Sequence, residues 1–363
     1  MLAKIPFSPD ELNIIGQHIS TKSMSFGGPA PMYNTPITPK ENFFHALKRD
    51  GETLWIPTMS DTLTIESRVN IDHIARAEVM DMGEPLALED KGGKDMFGIE
   101  WVFVPQVGGS MVKPGTPVLD DVNDWPEIIK FPDVEAMDWA ACKELNSCMN
   151  ETKRAFQVTF QNGIFERLIS FMDFEGAAMA IIDEDQQDAV HALFDKLADL
   201  YIAMITKYME CVNIEGVHFH DDWGSQRSPF FSAATCSEMI VPHMKKIADF
   251  CHSKGLFFHL HSCGKNELLV PCMIEVGVDM WFPQVMNDTA MLVEKYGDKI
   301  MFGVIPKLPA DPTDEQLDEA AKAFVEQYAP GFPEKPVMMV GFMTPPAFGP
   351  LVYKYSREYF AAH

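Results

Sequence analysis

The chain has 363 residues, 47% hydrophobic and 23% charged, with a formal net charge of −24 at neutral pH, enough apolar residues for a large core under an acidic surface. That sign excludes nucleic acid and anionic membrane as partners, since neither has counterions to exchange against a surface of its own charge. Seven cysteines without a C-x-x-C pair point away from a disulfide framework or zinc ribbon and toward a reducing cytoplasm. The start, MLAKIPFSPDELNIIG, is unlike a signal peptide, and no run of about 18 apolar residues occurs, which fits the same location.

In chain order, residues 1 to 38 are rich in Pro, Gly and Ser around SFGGPAPMYNTPITP and read as an extended arm, followed by a body over 39 to 363. PKENFFHALKRDGE predicts a helix, with Pro39 in its first turn and Phe43, Phe44 and Leu47 on one face. TLWIPTMSD is an apolar run of strand length. Residues 64 to 140 read as elaboration on the core: a helix over VNIDHIARAEVMDMG, then a β-rich insert, MFGIEWVFVPQVGGSMVKPGTPVL, with Gly-Gly and Pro-Gly turns. From FQVTF onward, strand-like runs (EGVHFHDDW, LFFHLHSCG, VDMWFPQ, KIMFGVIP, KPVMMVGFM) alternate with helical ones. Alternation at this spacing implies parallel pairing with right-handed crossovers. Seven or eight such strands predict an α/β fold, a closed (β/α)8 TIM barrel, with an N-terminal extension and the β-rich insert. No G-x-G-x-x-G or G-x-x-x-x-G-K-[ST] opens a helix, so neither a dinucleotide nor a P-loop site is supported.

Groups at the carboxyl ends of barrel strands converge on one mouth, which here collects Ser60, Asp61, Gln161, Asn162, His218, His220, Asp221, Asp222, Gln284 and Thr344 beside the most informative stretch, residues 256 to 264. There His259, His261 and Cys263 follow at i, i+2, i+4 on one face of a strand that runs into Gly264. Two readings stay open. Buried histidines bonded to carbonyls and a small apolar cysteine are ordinary core; imidazole and thiolate together at a strand end suit zinc. HFHDDWG likewise reads either as a helix cap and loop acid or as a carboxylate and imidazole facing His261 and Cys263 across the mouth.

These segments resemble the uroporphyrinogen decarboxylase superfamily from about residue 39 to the C-terminus. PKENFFHAL resembles its opening helix, FPDVEAMDW its acidic-Trp connector, and NGIFERLISFMDFEGAAMAIIDED its turn and long helix; GVHFHDDWGSQRSPFFS, HLHSCGKNELLVPCMIEVGVDMWFPQ and YGDKIMFGVI carry the rest. The resemblance implies the same barrel and a choice between porphyrinogen decarboxylases and corrinoid-linked methyltransferases. A substrate with eight carboxylates needs the decarboxylases' Arg-rich turn after the first strand; here that turn is IPTMSDTL, without Arg and with Asp61. In the methylcobamide:coenzyme M methyltransferases, H-x-C and a later Cys hold a zinc that activates a thiol. His261 and Cys263 match the first two positions, but VMMVGFMTPP has no Cys, so a third ligand would come from His220 or Asp222.

The resemblance then implies the substrate-side methyltransferase of anaerobic O-demethylase systems, which moves a methyl group from a methoxylated aromatic to the cob(I)amide of a partner corrinoid protein. On that reading His220, Asp222 and His261 are catalytic, and His261, Cys263 and His220 hold a metal such as zinc. Asn162, Phe165, Phe171, Trp223, Gln284 and Met343 hold the donor, although the aromatic and Met positions also suit plain core. The chain has no D-x-H-x-x-G cobalamin motif, so the corrinoid is expected on another protein. A methylcobamide:thiol methyltransferase, a decarboxylase of another substrate and a non-enzymatic corrinoid-binding barrel are the other readings; a homodimer is a further expectation.

Overall fold

Parallel pairing of the alternating strands produces the barrel. The computed structural model describes residues 5 to 23, 30 to 106, 108 to 115, 117 to 341 and 344 to 363; Met343, expected in the donor pocket, lies outside them. In the arm, β1 (Ile14–Gln17) and β2 (Pro31–Tyr33) pair antiparallel. β3 (Thr62–Ile65) enters the body, and β4 (Gly93–Lys94), β5 (Glu100–Val104) and β6 (Gly109–Val112) form the antiparallel insert. β7 (Ala155–Phe160), β8 (Gly216–His220), β9 (Phe257–His261), β10 (Met280–Trp281), β11 (Met301–Val304) and β12 (Val337–Met339) follow. With β3 they make a seven-stranded sheet, β12-β11-β10-β9-β8-β7-β3, every neighbour parallel.

The two edges of this sheet meet just before β3. Thr58 bridges Met339, and Met339 N donates to the Pro57 carbonyl at 2.8 Å, so the segment expected as the first strand occupies the eighth position of a TIM-barrel-like fold. It is not a regular strand. Pro57 has no N–H to give a ladder, and Asp61 Oδ2 draws the chain into a short turn by accepting from Thr58 N at 3.0 Å and Trp55 Nε1 at 3.1 Å. The helix expected over VNIDHIARAEVMDMG is also shorter, Ile71–Ala75. Ala77 takes a left-handed φ of 64°, and Met80 returns to bridge Glu66.

Period-two alternation divides each strand between two environments. Outward residues such as Val158, Phe160, Val217, Phe219, Phe258 and Leu260 are buried under the helices, each worth about 1.5–3 kcal/mol. Inward residues differ around the barrel. On the β3, β7, β8 and β9 side they are Thr64, Gln157, Thr159, His218, His220, His259 and His261; on β10 to β12 they include Met280, Met301 and Met338. The three methionines pack with Phe257 and with Phe43 and Ala46 of the helix Pro39–Lys48, which plugs the amino-terminal end and leaves the opposite end for chemistry.

One buried ion-pair cluster ties the insert to the barrel. Arg167, on the helix Ile164–Ala180, is fully buried. It donates from Nη1 to Asp95 Oδ2 at 2.6 Å and from Nη2 to Asp72, while Asp95 also accepts from Trp101 Nε1 at 2.9 Å. Arg167→Ala would strand two carboxylates in the core. The expected loss is about 3–5 kcal/mol of unfolding free energy, read from urea denaturation of the variant beside the wild type.

Candidate functional site

Register builds the site. β8 and β9 pair with His218 opposite His259 and His220 opposite His261, so four imidazoles line one side of the interior, their ring centroids 4.5 Å apart in the lower pair and 4.4 Å in the upper. The next inward position beyond His220 is Asp222. Its Oδ1 lies 3.2 Å from His220 Nε2 and accepts from Cys263 N at 2.7 Å, tying the turn after β8 to the turn after β9. Gly264 permits this crossing: its φ is 99°, and a Cβ there would lie 2.3 Å from the Gly224 carbonyl oxygen.

Among the described residues, His220, Asp222 and His261 offer ligand atoms that all lie within 4.8 Å of one another. Two nitrogens and a carboxylate oxygen in that arrangement match the donor set of an open catalytic zinc site. Cys263, expected as a ligand, sits at the edge of this group, its Sγ 3.2 Å from His261 Nε2 and accepting from Gln284 Nε2 at 3.2 Å. Gln284 also accepts from Gly264 N at 2.8 Å, so it holds the turn.

A second layer surrounds these groups. Gln161 Oε1 is 3.0 Å from His220 Nδ1, and Glu166 Oε2 is 3.6 Å from His220 Nε2. Arg76 Nη1 donates to Asn162 Oδ1 at 3.2 Å and Glu166 Oε1 at 3.3 Å, with its guanidinium 5.1 Å from the Trp101 ring centroid of the insert. Asn162 Nδ2 and Glu166 Oε2 are buried without a hydrogen-bond partner among the described residues, as expected where a ligand or metal completes a site. Asp221 plays a different part from its neighbour. It accepts from Phe165 N at 3.2 Å, Glu166 N at 2.9 Å and Trp223 Nε1 at 2.9 Å, capping a helix whose N-cap, Gly163, has no side chain to do so.

Burial, with the neighbouring His220, lowers His261 to about 3, and burial with His261 lowers His259 to about 3. Both are neutral imidazoles at neutral pH, the form that ligates metal. Burial also pulls His220 down, but Glu166 and Asp222 outweigh it and raise its pKa. Asp222 is pushed up by burial and held well below the usual carboxylate range by the hydrogen bond and charge of His220. Burial, then Asp222, drive the Cys263 thiol upward, so in this setting it keeps its proton. Glu166 is raised by burial against the pull of His220 and Arg76.

The aromatic residues expected around a donor are placed elsewhere. Phe165, Phe171 and Trp223 are fully buried. Phe165 packs on Phe231 at 5.2 Å and Phe171 on Phe97 at 5.1 Å, because helical spacing turns both to the core face. Arg76 and Glu166 were not expected at the mouth. Glu166 reads in sequence as an ordinary first-turn acid, and Arg76 lies in the elaboration, to which no strand-end rule applies.

No protein-family model matches the sequence, and no curated protein matches it. Among solved structures, a methyltransferase from Methanosarcina mazei superposes with a TM-score of 0.52 at 14% identity, over 90% of this chain and 98% of its own. A sugar phosphate isomerase/epimerase from Parabacteroides distasonis aligns over 61% of this chain and 81% of its own, at 10% identity and a TM-score of 0.31. The first likeness shows a common barrel fold along nearly the whole chain.

Zinc titration is expected to saturate at one site and to weaken on the order of 100-fold or more in His220→Ala or His261→Ala. Because His220 must lose its proton to ligate and its pKa is raised, affinity should be full at alkaline pH. It should fall as pH drops through a value above the ordinary imidazole value of about 6.5; isothermal titration across pH checks both.

Proposed function

We propose that the protein is a methyltransferase that takes the methyl group of a methoxylated aromatic and passes it to the cob(I)amide of a partner corrinoid protein. The observation that carries this reading is the convergence of His220, Asp222 and His261 at the barrel mouth beside a raised, half-satisfied acid, Glu166. In the net reaction the bond between methyl carbon and ether oxygen breaks. Its electron pair stays on oxygen, which takes a proton to become the phenol, and the cob(I)amide supplies the pair for the new bond to carbon. A zinc ion held by His220, Asp222 and His261 would stabilise negative charge on the departing oxygen.

The chain's own groups divide the remaining work. Glu166 is oriented through Oε1 by Arg76, and its other oxygen is left to hold the proton that the leaving oxygen needs. Asn162 offers its unpartnered Nδ2 to a polar substituent of the ring. Met280, Met301 and Met338 on the opposite strands close the amino-terminal end of the interior beneath the mouth, so water does not enter the site from below.

The fold shared with the Methanosarcina mazei methyltransferase and the sequence resemblance support this reading. It brings with it a corrinoid protein as partner and a cytoplasmic location. A thiol-methylating role is less favoured, since β12 brings no cysteine to match the later Cys of that branch. A decarboxylase of a polyanion is less favoured too, since Glu166 and Asp222 face the mouth against one guanidinium, Arg76.

The test supplies methoxyarenes, with methylamines as controls, to the protein and free cob(I)alamin and follows the visible spectrum. Methylcobalamin should form from an aryl ether, its formation lost in His261→Ala and slowed about 100-fold in Glu166→Gln. Zinc-loaded protein that transfers no methyl group from any donor would refute the proposal.

A further inference from the structure

Tyr353 and Arg357 of the last helix, Phe348–Ala362, both bond Glu11 of the N-terminal arm. Between this helix, the arm and the turn after Pro57 a cavity of about 340 Å³ remains, bordered by His18, Tyr33, Trp55, Asp61, Gly349 and Tyr353 among the described residues. That is room for a small molecule. None of the groups gathered at the mouth borders it, so Asp61, expected at the mouth, serves a separate place. Two features mark the cavity as more than a packing gap. One is Gly349: a glycine weakens a helix, and no neighbour requires one here, since a Cβ would meet nothing within 4 Å. The space it leaves open is the cavity. The other is Asp61, a buried carboxylate in a wall made largely of rings and prolines. Trp55 Nε1 and Thr58 N donate to its Oδ2 at 3.1 and 3.0 Å, and neither holds Oδ1. Burial pushes Asp61 up to about 6 against the pull of Thr58, Trp55 and Arg154, and a carboxylate so placed gains from one more donor.

The charges nearby select the kind of donor. Arg154, buried, acts on both Asp61 and His18. Burial, with that guanidinium, lowers His18 to about 4, so its ring is neutral. A cationic ligand would meet the repulsion of Arg154 and an anionic one that of Asp61, whereas a neutral hydroxyl or N–H meets neither. The walls select the rest of the molecule. Tyr353 has its hydroxyl committed to Glu11 at 2.6 Å and offers its ring, whose centroid lies 5.2 Å from that of Trp55, an apolar surface suited to a flat ring. We propose that this cavity is a second small-molecule site, which takes a planar aromatic of the phenol class with its hydroxyl donating to Asp61.

Neither the cavity nor its test rests on the proposed reaction. The reporter is the indole N–H of Trp55, which borders the cavity and bonds Asp61; its NMR signal in the nitrogen-labelled full chain is assigned with Trp55→Phe. Phenol should shift that signal and bind about 10-fold or more tightly than anisole, benzylamine or benzoate. Crystals grown with para-bromophenol should give an anomalous bromine peak beside Asp61, Trp55 and Gly349. Gly349→Leu, which fills the space, should abolish the phenol shift with the circular dichroism of the protein unchanged. Asp61→Asn has to turn its carbonyl to Trp55 Nε1 and Thr58 N and so presents NH2 to the cavity, which should cancel the advantage of phenol over anisole. A Trp55 signal indifferent to phenol, a bromine peak only elsewhere, or binding at crystal concentration only overturns the proposal even if neither variant folds. So does a phenol shift that survives in a folded Gly349→Leu. Benzylamine or benzoate binding as tightly as phenol overturns the ligand class.

Discussion

The in-register parallel pairing of β8 with β9 is the constraint on which the site depends. A slip of one residue would turn every inward side chain of one strand into the helix layer, separating His220 from His261 and breaking the bond from Cys263 N to Asp222. The register is held from outside as well as within. Val217, Phe219, Phe258 and Leu260 are fully buried on the outer face, so a slip of either strand would exchange the apolar burial of two of them for two imidazoles in the helix layer without partners, a cost of several kcal/mol.

Given that register, the barrel interior is polar on one side and apolar on the other, and its two ends differ. The helix Pro39–Lys48 and the methionine cluster seal the amino-terminal end. The mouth concentrates carboxylates and imidazoles whose charges hold one another in place: Asp222 stays ionised because His220 faces it, and His220 keeps a raised pKa because Glu166 and Asp222 do. The insert contributes as well. Arg167 fastens it to the long helix, and Arg76, stacked on Trp101, reaches from this elaboration to Asn162 and Glu166.

Much of this was legible in the sequence. Strand period and helix alternation gave the barrel, and spacing at i, i+2, i+4 gave the shared face of His259, His261 and Cys263. What escaped had no local signal. The eighth barrel position depends on a single bridge, Thr58 to Met339, far apart in the chain. The cap of the long helix comes from Asp221, just past β8: period-two alternation from His220 puts Asp222 on the inward face, but nothing local assigns Asp221 to the start of a distant helix. Phe165 and Phe171 suit a flat ring by residue type, and it is the phase of their helix, with Phe231 and Phe97 packed on them, that turns them to the core. Arg76 reaches the site through tertiary folding of the segment after β3, where neither periodicity nor motif marks it.

The account turns on whether the barrel mouth is a metal centre, and the most direct measurement is anomalous diffraction at the zinc edge from crystals of the zinc-loaded protein. The account predicts one strong peak bounded by His220 Nε2, an Asp222 oxygen and His261. A peak at any other group of side chains, or none at this mouth under saturating zinc, would contradict it.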